Sequence, residues 1–457
     1  MRTHFFVLFL ILITPVHATE QWVHAASPNP LTYTGFGDAI DVLDNWMVIG
    51  DPENDDQAID GGAVHVYENS QGQWQLFDTL YADEADNFDE FGSAVAIERL
   101  HDTGEVWIMV SALGDDDTGS DRGAVYGFQM LENQPITYEV KFTGDTFSRD
   151  YGSSLALNYD YVEDISTYLW VLVIGDKSAV RYVDPNNPNG GTRATGDATI
   201  YKRSGGLPWE QEPIQGLVTL DNLGTNDQFA ASVATDGIYV VAGAPFADNS
   251  ALGNEGVDTG AVYVYVRSGI TQTWSCCSTI RATQTTRGAR FGFDVDVAKQ
   301  FNDNVYIYAG APFEEDLSGR RLGAAYVWSN GNLIQKFQPT VIVGGAGENF
   351  GTSVSANGDA YFGTTEFLVG APLSEDYKGR IYQYTFNPDY NGSNDVFIER
   401  QQMVADNRNQ MPWDLGQFGK NVVTDGLNHA ASSESTYLGS HKSVYTKEAP
   451  IFKDGFD

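Results

Sequence analysis

The chain has 457 residues, with 62 acidic and 26 basic side chains and a formal net charge of −36. A surface with this charge repels nucleic acids and anionic lipid headgroups and attracts cations or basic partners, so we expect no nucleic-acid partner. General solubility explains the same charge equally well. The 24 Tyr, 25 Phe and 9 Trp favour β-strands, and the 48 Gly favour turns.

The first residues have the layout of an export signal. Arg2 and His4 precede the apolar run Phe5–Ile13, and Val16-His17-Ala18 offers the small residues that a signal peptidase requires. We predict a signal peptide at residues 1–18 and a secreted or cell-surface protein. No later apolar run reaches the length of about 18 residues that a membrane span requires, so we expect no transmembrane segment. We also expect a monomer.

The two cysteines, Cys276 and Cys277, are neighbours in the sequence. Adjacent side chains of a strand point to opposite faces, so a disulfide between them would be strained. This excludes a scaffold held together by disulfides. Two unpaired thiols on a strand are favoured over a redox-active bridge.

Pairs of an aromatic residue and a small residue recur along the whole chain. The copies are Phe36-Gly37, Phe91-Gly92, Tyr151-Gly152, Phe229-Ala230, Phe291-Gly292, Phe350-Gly351 and Phe418-Gly419. Their spacing runs from 55 residues, between positions 36 and 91, to 78 residues, between positions 151 and 229. Each pair opens a strand of small residues such as Ser93-Ala94-Val95-Ala96. Such a period is the signature of a repeat architecture.

Three further elements follow most of the pairs. A second strand ends in Gly-Ala-Pro, most clearly at 243–245, 310–312 and 370–372, and a third strand begins with Gly-Ala-Val-Tyr, as at 123–126 and 260–263. A fourth strand often carries tryptophan. Four strands in each of seven repeats predict an all-β fold, a seven-bladed β-propeller of four-stranded antiparallel blades. The run Val262-Tyr263-Val264-Tyr265 is apolar throughout, as expected for a strand buried on both faces.

The two ends of the chain predict how the ring closes. The repeat that begins at Phe418 lacks a fourth strand before the chain stops, and Glu20-Gln21-Trp22-Val23-His24 has the composition of that strand. We expect residues near 20–26 to complete the last blade, which would remove exposed sheet edges. The predicted propeller domain spans residues 19–445, and residues 446–457 form a C-terminal tail.

This succession of Phe-Gly, Gly-Ala-Pro and Gly-Ala-Val-Tyr resembles the FG-GAP repeat family, whose fold is the propeller of integrin α-subunit heads. The resemblance covers about residues 20–445. The family also includes exported bacterial proteins. It implies extracellular recognition more often than catalysis. The expected function is therefore that of a secreted or cell-surface binding or adhesion module, which recognises an extracellular protein or glycan through loops on a propeller face.

The resemblance also implies calcium in the loops between first and second strands, where the family uses Asp-x-Asp-x-Asp-Gly. Oxygen ligands at alternate positions suit Ca²⁺. This sequence departs from the pattern, and only Asn158, Asp160 and Asp164 bring several oxygen ligands to such a loop. These three residues are the candidate Ca²⁺ ligands.

A second candidate site comes from the acidic loops of the first two blades. Antiparallel strands place the loops between second and third strands, and those between blades, on one face. The candidate residues for binding a cation or another ligand are Asp51, Glu53, Asp55, Asp56, Asp86, Asp89, Asp115, Asp116 and Asp117. Clustered carboxylates repel one another, so Ca²⁺ or a basic partner surface would relieve the repulsion. A solvated set of acidic loops is the alternative.

The sequence contains few signs of catalysis. No histidine pair has zinc-ligand spacing, and no Gly-x-Ser-x-Gly motif is present. We therefore expect a protein that is not an enzyme. The alternative is a propeller-fold hydrolase or lyase that acts on polysaccharide through paired carboxylates. Two long loops, Asp176–Gly196 and Phe246–Thr259, are either recognition loops or tolerated insertions.

Overall fold

The computed structural model describes residues 23–25, 28, 35–119, 122–131, 134–162, 167–182, 191–212, 224–268, 273–282, 285–299, 304–339, 347–357, 366–374, 378–387, 396–404, 417–425, 428–434 and 442–448. The predicted signal peptide lies outside these residues, as does the tail beyond residue 448. Within these ranges, no helix combines the length and the apolar character needed to cross a membrane.

Six four-stranded antiparallel sheets follow one another along the chain. Blade one comprises β2 (Ile40–Leu43), β3 (Trp46–Asp51), β4 (Ala63–Ser70) and β5 (Gln73–Leu80). Blade two comprises β6 (Phe91–Leu100), β7 (Glu105–Ala112), β8 (Ala124–Met130) and β9 (Thr137–Thr143). Blade three comprises β10 (Tyr151–Val162), β11 (Thr167–Asp176), β14 (Asp197–Ser204) and β15 (Glu210–Glu212), with a separate hairpin of β12 (Val180–Tyr182) and β13 (Thr192–Ala194) between its second and third strands.

The next three sheets repeat this layout. Blade four comprises β16 (Val233–Thr235), β17 (Tyr239–Ala244), β18 (Ala261–Arg267) and β19 (Trp274–Ile280), with a short 3₁₀ segment at Ser250–Gly256. Blade five comprises β20 (Val295–Lys299), β21 (Val305–Ala311), β22 (Ala324–Ser329) and β23 (Asn332–Phe337). Blade six comprises β24 (Val354–Asn357), β25 (Glu366–Ala371), β26 (Arg380–Phe386) and β27 (Phe397–Met403).

A further four-stranded sheet, the closing sheet, joins the two ends of the chain. It orders β1 (Val23–Ala25), β30 (Lys442–Glu448), β29 (Asn428–Glu434) and β28 (Val422–Thr424) side by side. β1 is antiparallel to β30, with His24 opposite Tyr445, which is the pairing that the sequence predicted. β30 also runs past residue 445, the expected end of the domain.

The predicted all-β propeller of small antiparallel sheets is confirmed. The expected count was seven blades, whereas six blades consist of consecutive strands of one repeat each. The closing sheet differs from them because neither end of the chain supplies four strands alone.

The recurring glycines of the sequence lie where neighbouring blades touch. Gly260, the first residue of a Gly-Ala-Val-Tyr copy, has φ +88° and forms a parallel bridge with Phe291 of the next blade. Gly310, from a Gly-Ala-Pro copy, faces Gly351, and a Cβ at residue 310 would lie 1.9 Å from the Gly351 carbonyl oxygen. The motifs therefore record backbone-to-backbone contact between blades, which leaves no room for a side chain.

The aromatic residue of each repeat packs inside its own blade. Phe91 meets the ring of Tyr126 edge-on, with ring centroids 5.4 Å apart, and Phe291 meets Tyr326 in the same way at 5.2 Å. These four side chains are fully buried. Edge-to-face pairs stabilise a core beyond the burial of their apolar area. Phe-Gly and Gly-Ala-Val-Tyr are thus two halves of one packing unit.

The innermost strands surround a cavity of about 1190 Å³ on the ring axis. Its lining segments are 38–44, 93–98, 153–159, 231–236, 293–299, 352–357 and 421–425. Burial raises the pKa of Asp41 and of Asp296 to about 7, and that of Glu98 to about 8. At neutral pH the cavity wall therefore carries less negative charge than its carboxyl count implies.

Side chains on the innermost strands also connect adjacent blades. Asp296 Oδ2 accepts a hydrogen bond from the Ala356 amide at 2.7 Å, and Ser355 Oγ accepts one from the Thr424 amide at 3.1 Å. Backbone amides at the inner edge of a blade have no strand to pair with, and a buried unpaired amide is costly. These side chains satisfy such amides and hold adjacent blades together.

Candidate functional site

The loops between second and third strands, together with the loops that lead into the next blade, lie on one face of the propeller, here called the loop face. Blades one and two contribute residues 52–62, 81–90, 113–119 and 122–123 to it. The sequence predicted that the acidic candidates lie on this face. In the structure some of them are buried and others are exposed.

Asp51 does not project from the loop face. It ends β3 and is fully buried, with Oδ2 lying 3.3 Å from His65 Nε2 and 3.3 Å from Asn54 Nδ2. Asn54 is buried as well. Asp51 therefore belongs to the polar interior of blade one and does not reach a surface that a large partner could contact.

The next candidates brace their own loops. Asp55 is exposed, and its Oδ1 accepts the Asp60 amide at 2.9 Å. Asp56 is exposed, and its Oδ2 accepts the Tyr81 hydroxyl at 3.2 Å, while Glu53 is half-buried. Asp55 and Asp56 are thus exposed residues of the loop face.

Asp86 and Asp89 form a tight turn in the loop between blades one and two. The Asp86 amide donates to Asp89 Oδ2 at 2.7 Å. Asp86 is exposed and Asp89 is buried, and burial together with the nearby carboxylates of Asp115 and Asp116 raises the pKa of Asp89. The exposed Asp86 can face a partner, whereas Asp89 shapes the turn.

The structure does bring Asp115 and Asp117 together, and adds Glu84 to them. One carboxylate oxygen of each lies within 4.8 Å of the others. Lys141, on β9, points its ammonium into the centre, where Nζ lies 2.6 Å from Glu84, 2.7 Å from Asp115 and 2.6 Å from Asp117. Asp116 is exposed beside them. Lys141 thus supplies the positive charge for which the sequence had suggested Ca²⁺.

The Lys141 ammonium is firmly held. Burial alone lowers the pKa of Lys141, yet the hydrogen bonds that its ammonium donates to Asp115, Asp117 and Glu84 outweigh burial and raise it. The Tyr126 hydroxyl also donates to Asp115 at 2.6 Å. A metal ion could use these carboxylates only after Lys141 had moved away.

Blade five repeats this arrangement with a single carboxylate. There Glu314 accepts the Tyr326 hydroxyl at 2.6 Å and pairs with the Lys336 ammonium. Both lysines precede a phenylalanine on the fourth strand of their blade. That recurring Lys-Phe was the signal in the sequence that could have located Lys141.

The predicted calcium loop around residue 158 is not a loop. β10 continues to Val162, so Asn158 and Asp160 lie within a strand, and Asp164 lies outside the described residues. Asp160 Oδ2 pairs with the Arg267 guanidinium at 2.5 Å. The expectation of a loop was wrong because the strand pairing with β11 extends through these residues.

Sequence reasoning missed two apolar side chains at the tips of the loop face. Phe88 is 58% exposed and Ile59 is 57% exposed, and the Phe88 amide donates to the Ile59 carbonyl at 2.7 Å. Phe88 has φ +71°, in the left-handed region that bulky side chains disfavour. We call Phe88 and Ile59 the Phe88 patch.

Two later repeats share the positive φ of Phe88 at the corresponding position. The residue three positions before the repeat aromatic is Asn226 in one later blade, with φ +66°, and Gly288 in another, with φ +73°. Asparagine and glycine tolerate this conformation. An exposed phenylalanine there is strained without contributing to a core, a combination that points to function.

Two remaining predictions concern β19 and the long loops. Cys276 lies opposite Tyr265 in the pairing of β19 with β18, beside a register shift, but the cysteine side chains lie outside the described part of the structure. The loop at Asp176–Gly196 contains the hairpin of β12 and β13.

Comparison with known families agrees with the fold. The family model for the FG-GAP repeat matches residues 74–128 and 216–265. The first match begins in β5 and ends in β8, so the sequence repeat runs from the last strand of one blade to the third strand of the next. No curated protein matches the chain significantly. The chain is thus a β-propeller in which two regions match the FG-GAP repeat.

Proposed function

We propose that this protein is an exported binding module that recognises an extracellular partner through the loop face of blades one and two. The observation that carries the proposal is Phe88, an exposed aromatic side chain held at positive φ where two later repeats have Asn226 and Gly288 at positive φ. Rigid exposed aromatic side chains are the residues that most often dominate binding energy. FG-GAP propellers are in general binding modules, which agrees with this reading.

The surroundings of the Phe88 patch favour a protein partner over a glycan. Asp55, Asp86 and Glu90 are exposed in the same loops, and the Glu90 amide donates to Asp60 across them. An apolar anchor ringed by carboxylates complements a partner surface that has an apolar residue among basic ones. We therefore infer a basic extracellular protein surface as the partner, with a glycan as the alternative.

The closing sheet supports the same function because it holds the loop face rigid. We infer that it is the seventh blade and closes the ring, as part of an exported propeller domain that spans about residues 19–448. Its neighbours on both sides support this inference. Asn421 Nδ2 donates to the Asp38 carbonyl on the side of blade one at 2.9 Å, and the Val422 amide donates to Ser353 Oγ on the side of blade six at 3.1 Å.

Changing Phe88 to asparagine tests the proposed function. Asn tolerates φ +71°, so Phe88→Asn is expected to leave the free energy of unfolding unchanged or to raise it by up to about 1 kcal/mol. Retention of an extracellular protein on the immobilised chain is expected to weaken at least tenfold. The readout is mass spectrometry of material retained from a cell-surface extract, followed by affinity measurement with the retained protein.

Leu207→Asn is the matched control. Leu207 is 61% exposed, in the β14–β15 loop at the opposite end of the strands, so its loss is expected to change binding little. Equal retention by Phe88→Asn and the unaltered chain would refute the proposed surface. Retention of glycans alone, on a glycan array, with the retention lost in Phe88→Asn, would replace the protein partner with a carbohydrate.

A further inference from the structure

An arginine without a charged partner lies between blades four and five on the loop face. The Arg290 guanidinium lies over the Phe246 ring at 4.3 Å and over the Phe313 ring at 4.5 Å. Stacking on aromatic rings holds a guanidinium in place while its N–H groups stay available at the edge. Among the described residues, no side-chain hydrogen bond or ion pair engages Arg290.

The chain has 62 acidic and 26 basic residues, so carboxylate partners are abundant. Several arginines pair with them, as Arg203 does with Glu105 and Arg267 with Asp160, whereas Arg290 stacks on two rings instead. The two rings come from corresponding loops of adjacent blades, each directly after a Gly-Ala-Pro copy. Two repeats therefore each supply one of the rings that hold Arg290, and its guanidinium remains available to a ligand.

Arg290 lines a cavity of about 710 Å³, which we call the Arg290 pocket. Arg287 and Arg321 line it too, and both are exposed at its rim. Thr286 holds its wall in place, because Thr286 Oγ1 accepts the Glu315 amide at 3.0 Å. The pocket thus gathers three guanidinium groups on a braced backbone.

The pocket also has acceptors. Glu255, Asp258 and Glu315 lie in its wall, so its formal charge is zero, against −36 for the whole chain. Glu315 is engaged by Arg321, at 3.6 Å. These carboxylates would repel a bare anion, whereas a ligand with hydroxyl groups would donate hydrogen bonds to them.

We propose that the Arg290 pocket binds a sugar acid, a pyranose unit that carries a carboxylate or a sulfate ester. The oxyanion lies against the edge of Arg290, where a planar guanidinium forms paired hydrogen bonds. Arg287 and Arg321 add charge at the rim, and the sugar hydroxyls meet Glu255, Asp258 and the Thr285 hydroxyl. This ligand class goes beyond the protein partner inferred for the Phe88 patch and does not depend on it.

Calorimetric titration of the exported chain tests the proposal. The probes are a uronate trisaccharide, a sulfated trisaccharide, the neutral trisaccharide of the same linkage, and inorganic sulfate. We expect at least one acidic sugar to bind ten times more tightly than the neutral sugar, and the tighter of the two identifies the oxyanion. Arg290→Lys keeps the charge but loses the paired hydrogen bonds, and is expected to weaken that binding at least tenfold.

Arg287→Ala tests the pocket independently of whether the Arg290 variant folds. Arg287 is exposed, so its loss should leave unfolding unchanged while weakening the acidic sugar several-fold. Arg122→Ala, in a loop-face loop of blade two, and Phe88→Asn should both bind the sugar normally. Equal binding of acidic and neutral sugars, equal binding of inorganic sulfate, or unchanged affinity in Arg290→Lys would each overturn the proposal.

Discussion

Gly260→Ala is expected to lower the free energy of unfolding by more than about 4 kcal/mol, since it combines an unfavourable φ with a clash that the packed backbone cannot relieve. A Cβ at residue 260 would lie 2.0 Å from the Phe291 carbonyl oxygen and 2.4 Å from its amide nitrogen. Moving Phe291 would separate blades four and five. The measurement is denaturant unfolding followed by tryptophan fluorescence, or the soluble yield where the variant does not fold.

Two control glycines separate the clash from the backbone conformation. Gly331 has φ +75° with no atom within 4 Å, so Gly331→Ala should cost only about 1 kcal/mol. Gly310 lacks a positive φ but has the clash with Gly351, so Gly310→Ala should be nearly as damaging as Gly260→Ala. If Gly260→Ala were no worse than Gly331→Ala, the close contact between blades would be wrong.

Lys141→Ala is expected to lower the free energy of unfolding and to create a response to calcium. Removing Lys141 leaves Asp115 buried without its cation, a loss of about 2 kcal/mol after allowance for the exposure of Glu84 and Asp117. Three carboxylates within 4.8 Å then favour Ca²⁺. Unfolding of the variant should shift to higher denaturant in 1 mM Ca²⁺ relative to chelator, whereas the unaltered chain should not shift.

Lys336→Ala is the matched control. Lys336 pairs with buried Glu314 in the same position of blade five, but a single carboxylate faces it there. Its removal should cost a similar free energy and give no response to calcium. A calcium response in the unaltered chain would show that Lys141 does not hold the site, and none in Lys141→Ala would refute the grouping of the three carboxylates.

Much of the fold was readable because its constraints act on backbone contacts. Gly260 and Gly310 recur as glycine since any side chain would strike the next blade, and Phe91 recurs since it fills one core position. Such requirements repeat at every blade interface and therefore leave a period in the sequence. The pairing of the N-terminal strand followed from the same count of strands.

The binding surface was less predictable because it depends on what differs between repeats. Acidic residues in the loops indicated the right face, yet Asp51 proved to be buried and Asp115 to be neutralised by a lysine from another strand. The strain at Phe88 is invisible without φ, since a phenylalanine in a turn looks like an ordinary loop residue. The unpaired state of Arg290 likewise emerges only from three-dimensional proximity.

The proposed closed ring would hold the Phe88 patch and the Arg290 pocket rigidly on one face, and in it the pairing of β1 with β30 joins the two ends of the chain. Hydrogen exchange of the chain, followed by mass spectrometry, tests this pairing directly. The amides of Val23–Ala25 and of Lys442–Glu448 should exchange as slowly as those of β5, the outer strand of blade one. Exchange of Val23–Ala25 at the rate of an unstructured peptide would contradict closure by the two ends of the chain.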